Sequence, residues 1–351
     1  MNKHNSFVKF LKKIYFLINS LLKKNLNKLN FNNLSKKAQS NKVFLTFVAI
    51  IILFLSYLSL PHIYDKTEIR NELKTQLIDK FSLNFTFSKN LKYKFFPRPH
   101  FTIEESIISM NEVDISNVKK LFIYVSLDNL FSLKGITIKE VVLENTNFNL
   151  NKKNYNFFLN LLDNDFRESS FKINNGNIFF QNNEEEVLFI NKIKNINYYY
   201  DPKELKNILA SENEIFNISY SLKLHKDNIN NKIFSKLNFD IPKLQVENII
   251  DYKKNPKKGI SNISYDNTKS KITYEWNKFF FNFNVFDKGN SPNFKYNGKI
   301  NFNPSYSSLK GNTDKLNLSD LIKIDSFYPQ LLKKEILNNK NLNFDLNIGA
   351  K

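Results

Sequence analysis

From Leu83 onward the chain repeats a hydrophobic period of two, which a strand satisfies and a helix does not. Phe216, Ile218, Tyr220, Leu222 and Leu224 alternate with Asn217, Ser219, Ser221, Lys223 and His225. Ile272, Tyr274 and Trp276, then Phe279, Phe281, Phe283 and Val285, continue the theme. Phe294, Tyr296, Ile300 and Phe302 alternate with Lys295, Asn297, Lys299 and Asn301, and Leu342, Phe344, Leu346 and Ile348 with Asn343, Asp345 and Asn347. So many two-faced strands predict an antiparallel sheet, apolar on one side and polar on the other. Something must cover the apolar side. Helical candidates are few: a short stretch at Ile69, Leu73 and Leu77, then Tyr155–Phe166, Lys203–Ala210 and Leu318–Leu337. Two architectures fit. One is a β-sandwich whose sheets cover each other, which the pattern by itself favours. The other is a long curved sheet whose apolar face holds a lipid.

Ahead of the strands, Val43–Leu60 runs for 18 residues without a charge. As a helix it spans about 27 Å, close to a bilayer's hydrocarbon thickness. Residues 1–42 contain ten lysines and no acidic residue, more than half of the chain's net +19. The other flank mixes Asp65, Lys66, Glu68 and Arg70. This asymmetry predicts a cytoplasmic N-terminus and a body on the far side. The long charged lead and the absence of a small-residue cleavage site favour an uncleaved anchor over a signal peptide. Phe7, Phe10, Leu11, Ile14, Leu17, Ile18, Leu21 and Leu22 recur at helical spacing, with lysines around the other side. That is the pattern of a helix lying on an anionic membrane surface, or docking on a partner protein. The expected segments are therefore 1–42 basic and cytoplasmic, 43–60 transmembrane, 61–82 linker and short helix, and 83–351 the β-rich body.

Catalytic patterns do not stand out. The sequence has no G-x-G-x-x-G, Walker or G-x-S-x-G motif. His4, His62, His100 and His225 are scattered, and the absence of cysteine removes thiol catalysis, thiolate metal sites and disulfides. The acidic clusters Glu104/Glu105, Asp163/Asp165 and Glu184–Glu186 read as solvated. No enzyme, cofactor or metal site is expected. The lysine excess accompanies abundant Asn, Ile and Phe, all with AT-rich codons, so it does not argue for nucleic acid. Lysines and aromatics on opposite strand faces also make a poor single-strand platform.

One block does more than alternate. Leu83–Phe87 leads into Leu91–Lys92–Tyr93–Lys94–Phe95–Phe96–Pro97–Arg98–Pro99–His100–Phe101–Thr102–Ile103–Glu104–Glu105. Val118–Leu127, Leu130, Ile136–Glu144 and Asn149–Leu150–Asn151 complete it. An anchor, a short helix and a strand–Phe–Pro–x–Pro–strand unit resemble the opening of the AsmA family, with Phe96, Pro97 and Pro99 as its signature. Residues 170–226, through Asn175–Gly176–Asn177–Ile178–Phe179–Phe180, look like a second such stretch; beyond 230 the likeness is architectural. The family usually has a glycine near Ser82 and a longer, Gly-containing connection at Met110–Asn111–Glu112. The prolines themselves need no chemical role, because a residue without an N–H suits an edge or bend.

The resemblance implies a mainly β fold: one transmembrane helix, then an elongated, curved antiparallel sheet with a few short helices. It implies an inner-membrane protein with a periplasmic body, supporting outer-membrane biogenesis by conducting phospholipid along an apolar groove. Phe216, Ile218, Tyr220, Leu222, Phe281, Phe283, Phe294 and Tyr296 are the expected groove residues. Membrane phospholipid is the expected partner, together with an envelope protein or a missing C-terminal half at the last strand; nucleic acid is not. The alternative is a non-enzymatic assembly factor or anchor with a closed sandwich and no lipid.

Overall fold

A computed structural model describes residues 42–350 except 89, 111–112, 183, 242, 266–267, 288–293, 303–304 and 314–342. The basic stretch at 1–41 and the helix expected over Leu318–Leu337 lie outside the described residues. The chain forms two units, 1–60 and 61–351. The first contains helix α1, Lys42–Ser59. Phe47, Val48 and Ile50 through Leu55 are all exposed, so the middle of the helix is apolar all round. By length and composition no single helix among the described residues passes as a membrane span; Thr46–His62 and Lys66–Phe81 pass only as a pair.

The second unit opens with α2, Lys66–Phe81. Asp65 caps it, its carboxylate accepting from the N–H groups of Thr67 at 2.8 Å and Glu68 at 3.0 Å. Those bonds, Glu68's first, hold the Asp65 carboxyl below its ordinary range. The helix stops at Ser82, which is left-handed at φ 54, with its N–H on the Ile78 carbonyl and that of Leu83 on Leu77. Glycine is the usual residue for that geometry. Ile69, Leu73, Leu77 and Phe81 fall on one face by four-residue spacing, and all are buried. Each contributes on the order of 2 kcal/mol.

One sheet of seventeen strands follows. Two short strands, β1 (Asn84–Phe87) and β2 (Leu91–Lys94), sit end to end along one edge of β3 (His100–Met110). From there each strand pairs with the next in sequence. The order continues through β4 (Val113–Val125), β5 (Ile138–Leu150), β6 (Ser170–Gln181), β7 (Val187–Asp201) and β8 (Lys206–Ile215). It proceeds to β9 (Ile218–Asp227), β10 (Lys232–Phe239), β11 (Leu244–Asp251), β12 (Lys257–Tyr265) and β13 (Thr268–Trp276). The last four are β14 (Phe280–Asp287), β15 (Phe294–Phe302), β16 (Ser305–Thr313) and β17 (Asn343–Ala350).

The long open sheet implied by the family resemblance is what forms; no second sheet closes a sandwich, the architecture alternation by itself favoured, among the described residues. Two expectations need correction. The sheet is mixed, because β5–β6 and β16–β17 are parallel. A parallel pair needs a crossover, and here residues 151–169 cross the apolar face, bearing the short helix α3 (Phe157–Asn160) and a 3₁₀ turn, Leu161–Asp163. Finally, the segment read as a helix at Lys203–Ala210 is a turn followed by β8. The Asp201 carboxylate accepts from the N–H groups of Lys203 and Glu204, and Leu205 is left-handed at φ 52. Leu205, Ile208 and Leu209 have helical spacing, but the ladder to β7 overrides it.

The polar face also helps set register. Asp227, Lys232, Asp251, Lys258 and Glu275 lie directly opposite one another across β9 to β13, alternating in sign. Opposite charges in facing positions are mildly favourable, and a one-residue slip would turn them onto the apolar side.

Candidate functional site

The face that carries α2 is termed inner. One row of directly paired residues follows it across thirteen strands. It starts with Phe101, Ile123, Val141, Phe171, Tyr198 and Leu209. It continues through Leu224, Ser235, Asn248, Ser261, Ile272, Val285 and Tyr296. Burial divides this row. The first five residues are fully buried and Leu209 is 4% exposed, whereas those from Leu224 onward are half-buried except Ser261, which is buried.

The covered half is a packed core closed by the protein's own chain. Phe81 of α2 meets Phe166 and Phe171, with ring centroids 6.2 and 6.1 Å apart. Phe166 stacks on Tyr198 at 5.7 Å, and Phe148 meets Phe157 and Phe158 at 5.6 and 5.2 Å. The Tyr198 hydroxyl donates to the Phe158 carbonyl at 2.8 Å. Gln76 fixes the helix to the start of β5: its amide donates to the Ile136 carbonyl and accepts from the Ile138 N–H.

Beyond β8 the inner face changes character. Ile218, Tyr220 and Leu222 project from it on β9, Phe281 and Phe283 on β14 and Tyr296 on β15, which the register brings to one face. Phe294 shares β15 with Tyr296, but its side chain is outside the described ones. Phe216 is not in a strand. With Asn217 it forms the turn between β8 and β9, both at positive φ, and its ring lies 6.2 Å from that of Phe189. Ile250, Ile272, Tyr274, Trp276, Phe281 and Phe283, with Asn248 and Ser261, line a groove of about 560 Å³.

Three glycines shape this surface. Gly259, Gly298 and Gly311 stand directly opposite Tyr274, Phe283 and Tyr296, and each ring lies over its glycine. A Cβ on Gly298 would fall 2.2 Å from Cζ of Phe283. The missing side chains let the rings lie along the sheet, giving a smooth aromatic floor. Sequence alternation did not reveal this; a glycine facing an aromatic is visible only once register is known.

Polar groups on the inner face bond to one another. Ser261 donates to Asn248 Oδ1, which also receives the Tyr274 hydroxyl at 3.3 Å, while Asn248 Nδ2 donates to Ser235 at 3.2 Å. The Tyr220 hydroxyl donates to Asn191 at 2.9 Å. Burial pushes the Tyr220 phenol up to about 12, the Asn191 bond opposing it, and burial likewise raises that of Tyr274. Both phenols are neutral near physiological pH. This half of the face is therefore aromatic and aliphatic, with its polar groups bonded to one another and no charge at its floor.

The signature block occupies the other face. Arg98, between Pro97 and Pro99, lays its guanidinium 4.2 Å over the Tyr124 ring and donates to Glu140 at 2.5 Å. Lys172 reaches the other carboxylate oxygen of Glu140. Glu140 is only 6% exposed. Burial drives its carboxyl up, but the bonds and charges of Lys172 and Arg98 outweigh that and leave it below its ordinary value. This cluster escaped the sequence reading, because Glu140 looks like one more polar residue on an alternating strand. Among the described residues no three His, Asp or Glu side chains gather as metal ligands.

No curated protein matches the chain in sequence. The model of the AsmA family matches residues 37–278. The matched region begins before α1 and ends just past β13, reaching well beyond residue 230. A match over more than half of the length, on a long open sheet with few helices, assigns this chain to the AsmA family.

Proposed function

We propose that this protein is a non-enzymatic inner-membrane-anchored envelope component that carries phospholipid along its exposed inner face and so supports outer-membrane biogenesis. Membership of the AsmA family points to the cell envelope. One observation carries the reading further: the inner face continues for seven strands past the region that the protein's own helices cover, and there Ile250, Ile272, Tyr274, Trp276, Phe281 and Phe283 line an open apolar groove around the polar Asn248 and Ser261. Leaving so much apolar, aromatic surface uncovered is costly unless something occupies it. An acyl chain gains correspondingly, at ~0.8 kcal/mol per CH₂, so roughly 12 kcal/mol for sixteen carbons and about twice that for a two-chain lipid. A groove of this kind lowers the barrier to moving lipid through water without any bond being made or broken.

The anchor in this reading is Val43–Leu60, with the lysine-rich N-terminus cytoplasmic and the body periplasmic. Because β1 and β2 share one rank, the seventeen strands form sixteen ranks, about 72 Å along the sheet at ~4.8 Å per step. The edge of β17 that faces away from β16 offers backbone groups to which a partner sheet could add, lengthening the path.

The test is a photo-crosslinking residue placed in turn at Phe283 and Asn282, neighbours that face opposite sides of β14. Phospholipid is expected to be captured from position 283 and not from 282. Equal capture from both would remove the groove reading.

A further inference from the structure

At one end of the exposed groove the chemistry changes abruptly. Lys257, Trp276 and Phe281 are directly opposite one another across β12, β13 and β14, so Lys257 stands at the rim of the apolar floor. Its ammonium lies 5.9 Å from the centre of the Trp276 ring. Trp276 also lines a second cavity of about 950 Å³, built from the turns after β11 and β13 and the segment after β5. Those three pieces and the start of β12 bring together Lys152, Lys253, Lys254, Lys257 and Lys278, and no acidic residue lines the cavity among the described residues. Asp251 neutralises Lys254 at 2.8 Å. The other four lysines have no carboxylate partner among the described residues. Tyr155 and Phe279, more than half exposed, stand among them.

Five lysines around one cavity with a single carboxylate partner among the described residues make it a region of positive potential, which an anion relieves. Aromatic rings mixed with lysines also characterise surfaces where a lipid's polar and apolar parts meet. A site for a free anion would need no apolar extension, and here one tryptophan, Trp276, lines both the cavity and the apolar groove. We propose that this lysine pocket holds the anionic headgroup of a lipid whose acyl chains lie over Tyr274, Phe281 and Phe283. The proposal rests on the groove reading and adds a charge preference to it: lipids with net negative headgroups are retained here over zwitterionic ones. The cation–π contact of Lys257 holds its ammonium at the junction between the chain and headgroup regions.

The experiment uses the full chain in mild detergent, with phosphatidylglycerol and phosphatidylcholine of identical, fluorescently labelled acyl chains as probes. Wild type is expected to bind phosphatidylglycerol roughly tenfold more tightly, each lysine near an anionic headgroup contributing a several-fold factor. The triple variant Lys253→Gln, Lys257→Gln, Lys278→Gln is expected to lose that preference while phosphatidylcholine binding stays roughly unchanged. These lysines form no part of the packed core, and circular dichroism verifies the fold of each variant. Equal binding of both lipids by wild type, abolished by Phe283→Asp, overturns the headgroup site and leaves the groove intact. Binding of neither lipid, or lipid binding indifferent to both Phe283→Asp and Phe283→Ala, overturns the groove reading itself. Inorganic phosphate that binds wild type, fails to bind the triple variant and displaces no lipid would make the pocket a free-phosphate site and also defeat the proposal.

Discussion

Replacing Arg98 and Lys172 together by methionine isolates what the signature block contributes to the fold. Glu140 is 6% exposed and holds both cations, whereas their own side chains remain 61% and 39% exposed. That asymmetry decides which partner matters. A charge-assisted hydrogen bond contributes roughly 1.5–3 kcal/mol, and partial solvation of the cations argues for the lower end. Either single replacement should cost about 1–2 kcal/mol, because the other cation still holds the carboxylate. The double replacement strands a carboxylate in the protein and should cost about 3–5 kcal/mol, more than the two singles combined.

The pH dependence carries the sharper signature. In the wild type the folded carboxyl is below its ordinary value, so its contribution is present above the unfolded pKa and is lost as pH falls through the folded one. Without the cations, burial alone remains and the folded pKa rises. The group's contribution is then full at low pH and is lost as pH rises through that value. The penalty of the double variant relative to wild type should therefore be largest at about pH 7 and shrink to roughly 1–2 kcal/mol at about pH 4. Urea titrations of the full chain in mild detergent, followed by far-UV circular dichroism at both pH values, measure this. A penalty that is the same at both, or additive in the singles, would refute the reasoning.

Leu205 is 73% exposed and left-handed at φ 52, a conformation that costs a branched residue roughly 1–2 kcal/mol. Leu205→Asn should stabilise the protein by about 1 kcal/mol in the same titration, since asparagine tolerates that region. Gly298→Ala forces the Phe283 ring off the sheet and should cost about 1–3 kcal/mol. Because the three atoms nearest the added Cβ all belong to that ring, most of the loss should disappear when Phe283→Ala is the background, a coupling that a double-mutant cycle reads directly.

Local pattern determined much of this protein. The period of two marked most of the strands, and four-residue spacing marked Ile69, Leu73 and Leu77 as the buried face of α2. The Phe–Pro–Arg–Pro block pointed to the family. These are properties that each segment carries by itself, through strand pleat, helix periodicity and the missing N–H of proline. What needed the tertiary structure was everything that depends on which strand lies beside which. Alternation is identical in a sandwich and in a single sheet, so only the pairing order excluded the sandwich. The parallel β5–β6 pair follows from a crossover whose own sequence looked like one more short helix. Phe216 alternates perfectly with Ile218 and Tyr220, yet it sits in a turn, because the β8–β9 ladder closes at Ile215 and Ile218. Glu140 and the glycines beneath Tyr274, Phe283 and Tyr296 acquired meaning only from their cross-strand neighbours. Composition placed lysines at 152, 253, 257 and 278 without relation to one another. The sheet register gathers them at one end of the groove, since residues distant in sequence become neighbours only when the chain between them is paired.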